Sequence, residues 1–271
     1  MSMTVPTGWS EEKAPIIIQS AHSPVQPIKF VVVGAGGTGG RLIPPLMQVV
    51  RRIDSVAIVD GDHVEDRNLA RQNFRTRDVG VNKAEVMVQR YRREGIQMNA
   101  YGAMLNEKNY KEIFQGVERF VILGCVDNSK ARRQMQAIMN QYSAIWIDGG
   151  NETRGGQVII SAHGWNFDIK GIAKGAWAIK GMHAMPQLLV QRKEEEVEAS
   201  CADRLDLQTV AVNQLSATCI LNAVATILYS VPFSSCGAFF STLNTMAPIG
   251  IKTASINTME VLPETTYAAE A

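Results

Sequence analysis

The sequence predicts an α/β fold: a doubly wound, Rossmann-like and mostly parallel sheet with a mixed or antiparallel C-terminal extension. Three observations predict it. The apolar run Phe30-Val-Val-Val33 ends in the glycine cluster Gly34-Ala-Gly36-Gly-Thr-Gly39-Gly40. A second run, Val56-Ala-Ile-Val59, ends in Asp60, twenty-one residues after Gly39. Apolar, strand-like runs then alternate with helical patterns as far as Asp148, which is the order a doubly wound sheet requires.

Each element follows in turn. From Ile28 the chain reads as strand, glycine turn, helix, then a strand at 55–59. Pro44 and Pro45 lie beyond a first helical turn, so that helix is expected to start late or to kink. A helix is predicted from about Asn82 to Arg93, a strand near 97–103, a short helix near 107–115 and a strand at Phe120-Val-Ile-Leu. Beyond Asp127 come a helix through about 140, a strand at Ile145-Trp-Ile-Asp148 and a further strand from Gly155-Gly156-Gln157-Val158. Residues 163–200 carry few periodic signals and read as a long loop, which inside a compact domain is functional or mobile. Residues 1–27 read as an N-terminal arm, with Ile16-Ile17-Ile18 as an edge strand or a partner contact, and 28–271 as one domain. No internal repeat or low-complexity tract is present.

The glycine spacing carries chemistry. Gly34 allows a sharp turn, Gly36 lets the backbone approach phosphates, and Gly39 lets the following helix pack closely. Phosphate would then rest on the helix N-terminus, where unpaired N–H groups favour negative charge. Asp60 is placed to accept hydrogen bonds from ribose hydroxyls. By itself this set means a dinucleotide or ATP.

Composition sets bounds. Apolar residues at 46% and charged residues at 20% describe an ordinary soluble chain, and a net charge of +1 gives no general attraction to nucleic acid. Four cysteines, at 125, 201, 219 and 236, form neither a Cys-x-x-Cys pair nor a disulfide framework, so no structural zinc is expected. The start of the chain lacks the basic residues and apolar core of a signal peptide, which implies a cytoplasmic location. The charge-free stretch from Leu207 to Gly250 invites a membrane reading. Its Asn213, Gln214, Ser216, Thr218 and Asn222 favour a buried helix at a core or dimer interface instead.

The next stretch separates ATP from a dinucleotide. It reads Asp60-Gly-Asp62-His-Val, then Asn68-Leu-Ala-Arg71-Gln72, then Val79-Gly80-Val-Asn-Lys83, and later Cys125-Val-Asp127-Asn128. In order and spacing this resembles the adenylate-forming domain of ubiquitin-activating enzymes and their bacterial ThiF and MoeB relatives. The resemblance covers roughly 29–158 and resumes at Ser200-Cys201-Ala-Asp203, where relatives carry a Cys-x-Glu-like segment. Length and layout are most similar to the ThiF-like branch of PRTRC cassettes.

The resemblance implies ATP and Mg2+ as cofactors, a homodimer, and a small ubiquitin-like protein of β-grasp fold as partner, whose C-terminal carboxylate attacks the α-phosphate. It assigns 28–150 to the nucleotide half and 151–271 to the substrate, crossover-loop and dimer half. Arg71 and Lys83 match the positions that grip phosphates, Asp127 the magnesium carboxylate, and Asn68 and Gln72 supporting polar groups. Asp62 is either a ligand contact or a loop cap, and Asp148 structural or substrate-facing. Cys201 aligns with a cysteine that forms a thioester or persulfide link in some relatives and is structural in others. Cys125, Cys219 and Cys236 read as packing thiols, and His22, His63, His163 and His183 have no metal spacing. Many relatives place an N-terminal arginine in the partner subunit's site, whereas no arginine precedes Arg41 here. The competing class is an NAD-dependent oxidoreductase of Rossmann type, or a nucleotide-binding regulator without catalysis. Arg71, Lys83 and Asp127 argue against it, since they answer a triphosphate and a metal.

Overall fold

The computed structural model describes residues 26–142, 144–151, 155–169, 173–180, 182, 185–190, 210–229 and 235–241, with strands at 16–17, 250–255 and 259–261. The parallel half of the sheet is built from β2 (Lys29–Val33), β3 (Ser55–Val59), β4 (Gln97–Tyr101), β5 (Phe120–Gly124) and β6 (Ala144–Asn151), in the spatial order β6-β5-β2-β3-β4. These strands are runs of Val and Ile because both faces of the sheet are covered. In β2, Phe30 and Val32 point into one core with Ile58, Leu123 and Ile147. Val31 and Val33 point into the other with Val59, Ile122 and Trp146. The two-residue period of an extended chain thus feeds two cores from one strand.

Helices α1 (Gly39–Val49), α2 (Lys83–Tyr91) and α5 (Val210–Leu228) contribute to the first core, and α3 (Tyr110–Ile113) and α4 (Ser129–Gln141) to the second. Of the late start or kink expected for α1, the late start is corrected: the helix begins at Gly39 and holds both Pro44 and Pro45 inside it. Pro44 leaves the Gly40 carbonyl without its helical donor, and the Asn73 side-chain N–H supplies one at 3.3 Å. Caps set two other helix starts. The Asn82 side-chain oxygen accepts from Ala84 N at 2.9 Å and Glu85 N at 3.2 Å, and that of Asn128 accepts from Ala131 N at 2.9 Å.

Beyond β6 the sheet turns antiparallel. β7 (Gly155–Ile169) runs back along β6 with Val158 opposite Gly149, and also pairs with β1 (Ile16–Ile17), β8 (Ala173–Lys180) and β9 (Ser235–Ser241). β10 (Gly250–Ser255) continues from β9, and β11 (Met259–Val261) lies on β8, which completes eleven strands. The long loop expected over 163–200 is therefore corrected for its first part: 163–169 and 173–180 are strands held by ladder bonds to each other. Trp165, Phe167 and Ile169, alternating with Asn166 and Asp168, carry the two-residue strand period in the sequence. The expected edge strand at Ile16-Ile17 is present, antiparallel to β7.

Helix α5 is long and apolar enough to cross a membrane, with a mean hydropathy of 1.5. Here it packs against α1, β6 and β7. Val212, Ser216, Ile220, Val224 and Ile227 form its buried face, while Gln214, Thr218 and Asn222 are exposed. The expectation of a core helix is met.

The closest approach in the fold lies at the glycine turn. A Cβ on Gly39 would stand 1.9 Å from the Gly34 carbonyl oxygen, whereas one on Gly36 would meet only the Gln72 side chain, at 3.7 Å. Gly39→Ala is expected to lower the unfolding free energy by about 3 kcal/mol or more, and Gly36→Ala by under about 1 kcal/mol, as measured by urea denaturation.

Candidate functional site

The site lies at the C-terminal ends of β2, β3 and β5, the crevice where doubly wound sheets receive ligands. Two backbone bonds draw the strand ends together: Gly34 N–H donates to Val59 O at 2.9 Å, and Cys125 N–H donates to Val33 O at 2.8 Å. Gly34 adopts φ +94°, and a Cβ there would stand 2.6 Å from the Cys125 carbonyl oxygen, so only glycine turns here without strain. The Asp60 carboxylate locks the turn from the other side. It accepts from Ala35 N–H at 2.6 Å and from Asp62 N–H at 2.9 Å. Burial raises the Asp60 carboxyl above the ordinary aspartate range, with these two N–H groups and Lys83 pulling the other way.

A cavity of about 550 Å³ opens over this turn. Of the residues nominated from sequence, Gly34, Gly36, Asp60, Asp62, Arg71, Gln72, Lys83 and Asp127 line it. Lys83 is buried, and its ammonium donates to an Asp62 carboxylate oxygen at 2.9 Å. The Asp62 side chain is 54% exposed, so a bound anion can take over the lysine while water takes the carboxylate. Asn82 holds this arrangement in place by donating to Asp60 O at 2.9 Å and Asp62 O at 3.0 Å, and a backbone bridge to Asn82 makes His63 a loop residue.

Arg71 and Gln72 follow the short 3₁₀ turn Asp66–Asn68. Arg41 donates to Arg71 O at 3.0 Å. Among the described residues, the Arg71 Nε and Gln72 Oε1 atoms are buried without a hydrogen-bond partner.

Two nominated residues stand behind the wall. Gly39 provides the close helix approach, as its spacing implied. Asn68 does not line the cavity: it is 4% exposed and its side-chain oxygen accepts from Glu65 N–H at 3.0 Å. Gln72 N–H donates to Asn68 O at 2.9 Å, so Asn68 shapes the loop that presents Arg71 and Gln72. Asp148 is also behind the wall, fully buried, with Arg132 Nε donating to it at 2.8 Å. Arg132 further donates to Val126 O at 2.8 Å, which ties α4 to the loop before Asp127.

The cysteines separate by surroundings. Burial, with the Asp148 charge, pushes the Cys125 thiol far above its ordinary value, and burial raises Cys219 as well. Neither is an activated thiolate. Cys236 sits on β9, while Cys201 and most of the expected crossover loop lie outside the described residues.

Among the further lining residues that were not nominated from sequence, Lys130, Thr38, Asn151 and Asn213 bear on the site. Lys130 lies three residues after Asp127 on the first turn of α4, a signal legible once that helix start is assigned. The other three meet only in the fold. Asn151 Nδ2 donates to Asn213 Oδ1 at 2.7 Å and to Thr38 Oγ1 at 2.6 Å, and Thr38 Oγ1 donates to Asn213 Oδ1 at 3.2 Å.

A glycine turn with a buried carboxylate at the next strand end, sharing a cavity with Arg71, Lys83 and Lys130, is chemically suited to an anionic ligand on a doubly wound sheet. The chain belongs to the ThiF family, which it matches over residues 14–231. It is 28% identical over 150 residues to SUMO-activating enzyme subunit 2 of Dictyostelium discoideum, a match covering 54% of this chain and 22% of that one. Similar solved structures include E. coli MccB with AMPCPP and MccA (TM-score 0.57, 16% identity), E. coli MccB with ATP (0.54, 18%) and PaaA (0.56, 15%). Each match covers 84% of this chain, and 63%, 63% and 64% of the respective neighbour. The chain thus spans about a fifth of the curated relative and under two thirds of these structures.

Asp148 supplies a pH signature. Its folded-state carboxyl is raised by burial above the ordinary 3.8, so the folded protein keeps that proton to higher pH than the unfolded chain does. Relative to Asp148→Asn, wild-type stability is expected to fall as pH rises from about 4 upward, as checked by urea titration of both proteins across pH.

Proposed function

We propose that this chain is an ATP-dependent activating enzyme that adenylates the C-terminal carboxylate of a small ubiquitin-like protein of β-grasp fold. One observation carries the reading: Arg71, Lys83 and Lys130 share the wall of one cavity with the glycine turn and with Asp127. A carboxylate oxygen attacks the α-phosphorus, the bond from that phosphorus to the bridging oxygen breaks, and pyrophosphate leaves. Two anions must meet, so the residues that matter are those that neutralise charge and hold the reacting groups in line. Arg71 offers a fork of donors and Lys83 and Lys130 point charges. Among the described residues Asp127 joins none of the ion pairs, and a lone exposed carboxylate beside a triphosphate fits a hard cation that keeps several waters. Bound there, Mg2+ would neutralise phosphate charge.

Family membership supports adenylation, and the SUMO-activating relative supports a ubiquitin-like substrate. MccB, solved with the peptide MccA, supports a shorter peptide carboxylate as the second reading. The working unit in this reading is a cytoplasmic homodimer of the PRTRC-associated type, with Cys201 receiving the acyl group as a thioester as AMP departs.

Mg-ATP at one hundred times its Kd is expected to stabilise the protein by about 2.7 kcal/mol in thermal unfolding, and NAD to leave it unchanged. The reverse would return the chain to the oxidoreductase class. With its partner protein, the enzyme is expected to exchange labelled pyrophosphate into ATP, and Lys83→Ala and Asp127→Ala each to reduce this by about a hundredfold or more. Robust exchange in both variants would sink the site assignment. A partner adduct released by dithiothreitol is expected to disappear in Cys201→Ala, and an undiminished adduct rules out the thioester at that residue.

A further inference from the structure

The charge-free helix α5 sends one side chain into the cavity. Asn213, in its first turn, is 2% exposed, and its carbonyl oxygen is committed to two donors, Asn151 Nδ2 at 2.7 Å and Thr38 Oγ1 at 3.2 Å. That commitment sets the orientation of the amide. With both acceptor positions used, the amide is fixed over the glycine turn with its nitrogen nearest Gly37: a Cβ built there would stand 2.7 Å from Asn213 Nδ2 and 3.2 Å from its Oδ1. Among the described residues this nitrogen has no hydrogen-bond partner, and it is not sealed from the cavity as the Arg71 Nε and Gln72 Oε1 atoms are. An amide N–H pair, fixed by two hydrogen bonds behind it, therefore faces the same space as the Gly36–Gly37 backbone.

From this geometry we infer that Asn213 is a catalytic residue that donates its side-chain N–H to a phosphate oxygen of the bound nucleotide, with Thr38 and Asn151 as the positioning residues that aim it. The inference rests on the nucleotide reading of the site. The chemistry favours an anionic acceptor, because the donor is preorganised beside the helix N-terminus and needs no reorientation when charge arrives. It also accounts for a buried asparagine on a helix face that is mostly apolar. An amide there is costly to bury unless its polar atoms find partners, and the cavity side is where the missing partner must come from.

Two substitutions separate donation from scaffolding. Asn213→Asp keeps the acceptor oxygen that Thr38 and Asn151 use and replaces the donor nitrogen with a second oxygen, charged when ionised, while Asn213→Ala removes acceptor and donor alike. Binding of Mg-ATP and of adenosine is measured by calorimetry on the full chain. At pH 8, both variants are expected to lose ATP affinity by about tenfold or more, the size of one hydrogen bond to a charged group, with adenosine affinity within about twofold of wild type. Towards about pH 5, Asn213→Asp is expected to recover relative to wild type, because a protonated carboxyl donates again, whereas Asn213→Ala is not. Unchanged ATP affinity in both variants overturns the inference, and so does a parallel loss of ATP and adenosine, the mark of a structural role alone. Should wild type bind no ATP, the nucleotide reading itself fails. ATP binding by wild type and by both variants alike sinks only the role of Asn213.

Discussion

The Asp60 carboxylate is the hinge on which the site turns. It sits 8% exposed at the end of β3 and accepts the backbone N–H groups of Ala35 at 2.6 Å and Asp62 at 2.9 Å. The first bond pins the glycine turn to the neighbouring strand. The second sets the chain that carries Asp62 towards Lys83. Burial works against the charged form, and the two N–H groups, with Lys83 nearby, work for it. Without that acceptor the buried N–H of Ala35 would have no partner and the chain at Asp62 would lose its tie to the strand end.

Charge is distributed by depth. Deep in the fold, Arg132 and Asp148 face each other at 2.8 Å, and Arg90 pairs with Asp78 beneath the loop of Arg71. Such buried pairs fix geometry more than they add stability, since desolvation offsets much of the attraction. At the cavity wall the arrangement is looser. Lys83 has only the half-exposed Asp62, and Arg71, Asp127 and Lys130 have no ion-pair partner among the described residues. A pocket built to receive an anion has to keep its cations available, and these are.

Legibility followed sequence distance. The glycine turn and Asp60 were readable because a tight turn, a close helix approach and a strand-end carboxylate are demands of a few neighbouring residues. The double proline in α1 misled, because the donor that repairs the Gly40 carbonyl is Asn73, thirty-three residues away. The strands over 163–180 were missed for a related reason: their bonds run to other strands, and local composition with several glycines says little about such pairing. Asn68 was named a supporting polar group by its motif. The support it gives the loop of Arg71 and Gln72 is visible only once its side-chain oxygen is seen to accept from Glu65.

By itself the sequence determined the doubly wound class and the position of the glycine turn with Asp60, since each is carried by short-range spacing, while Asp62, Arg71, Gln72, Lys83 and Asp127 were singled out by the resemblance of their motifs to ubiquitin-activating enzymes. Only the tertiary structure decided which of the nominated groups reach the cavity and which brace it from behind. It alone brought Asn213 to Thr38, 175 residues earlier, and to Asn151, 62 residues earlier. The physical reason is that a buried amide takes its orientation from whichever donors the fold sets beside it, and those donors leave no trace in its own stretch of chain.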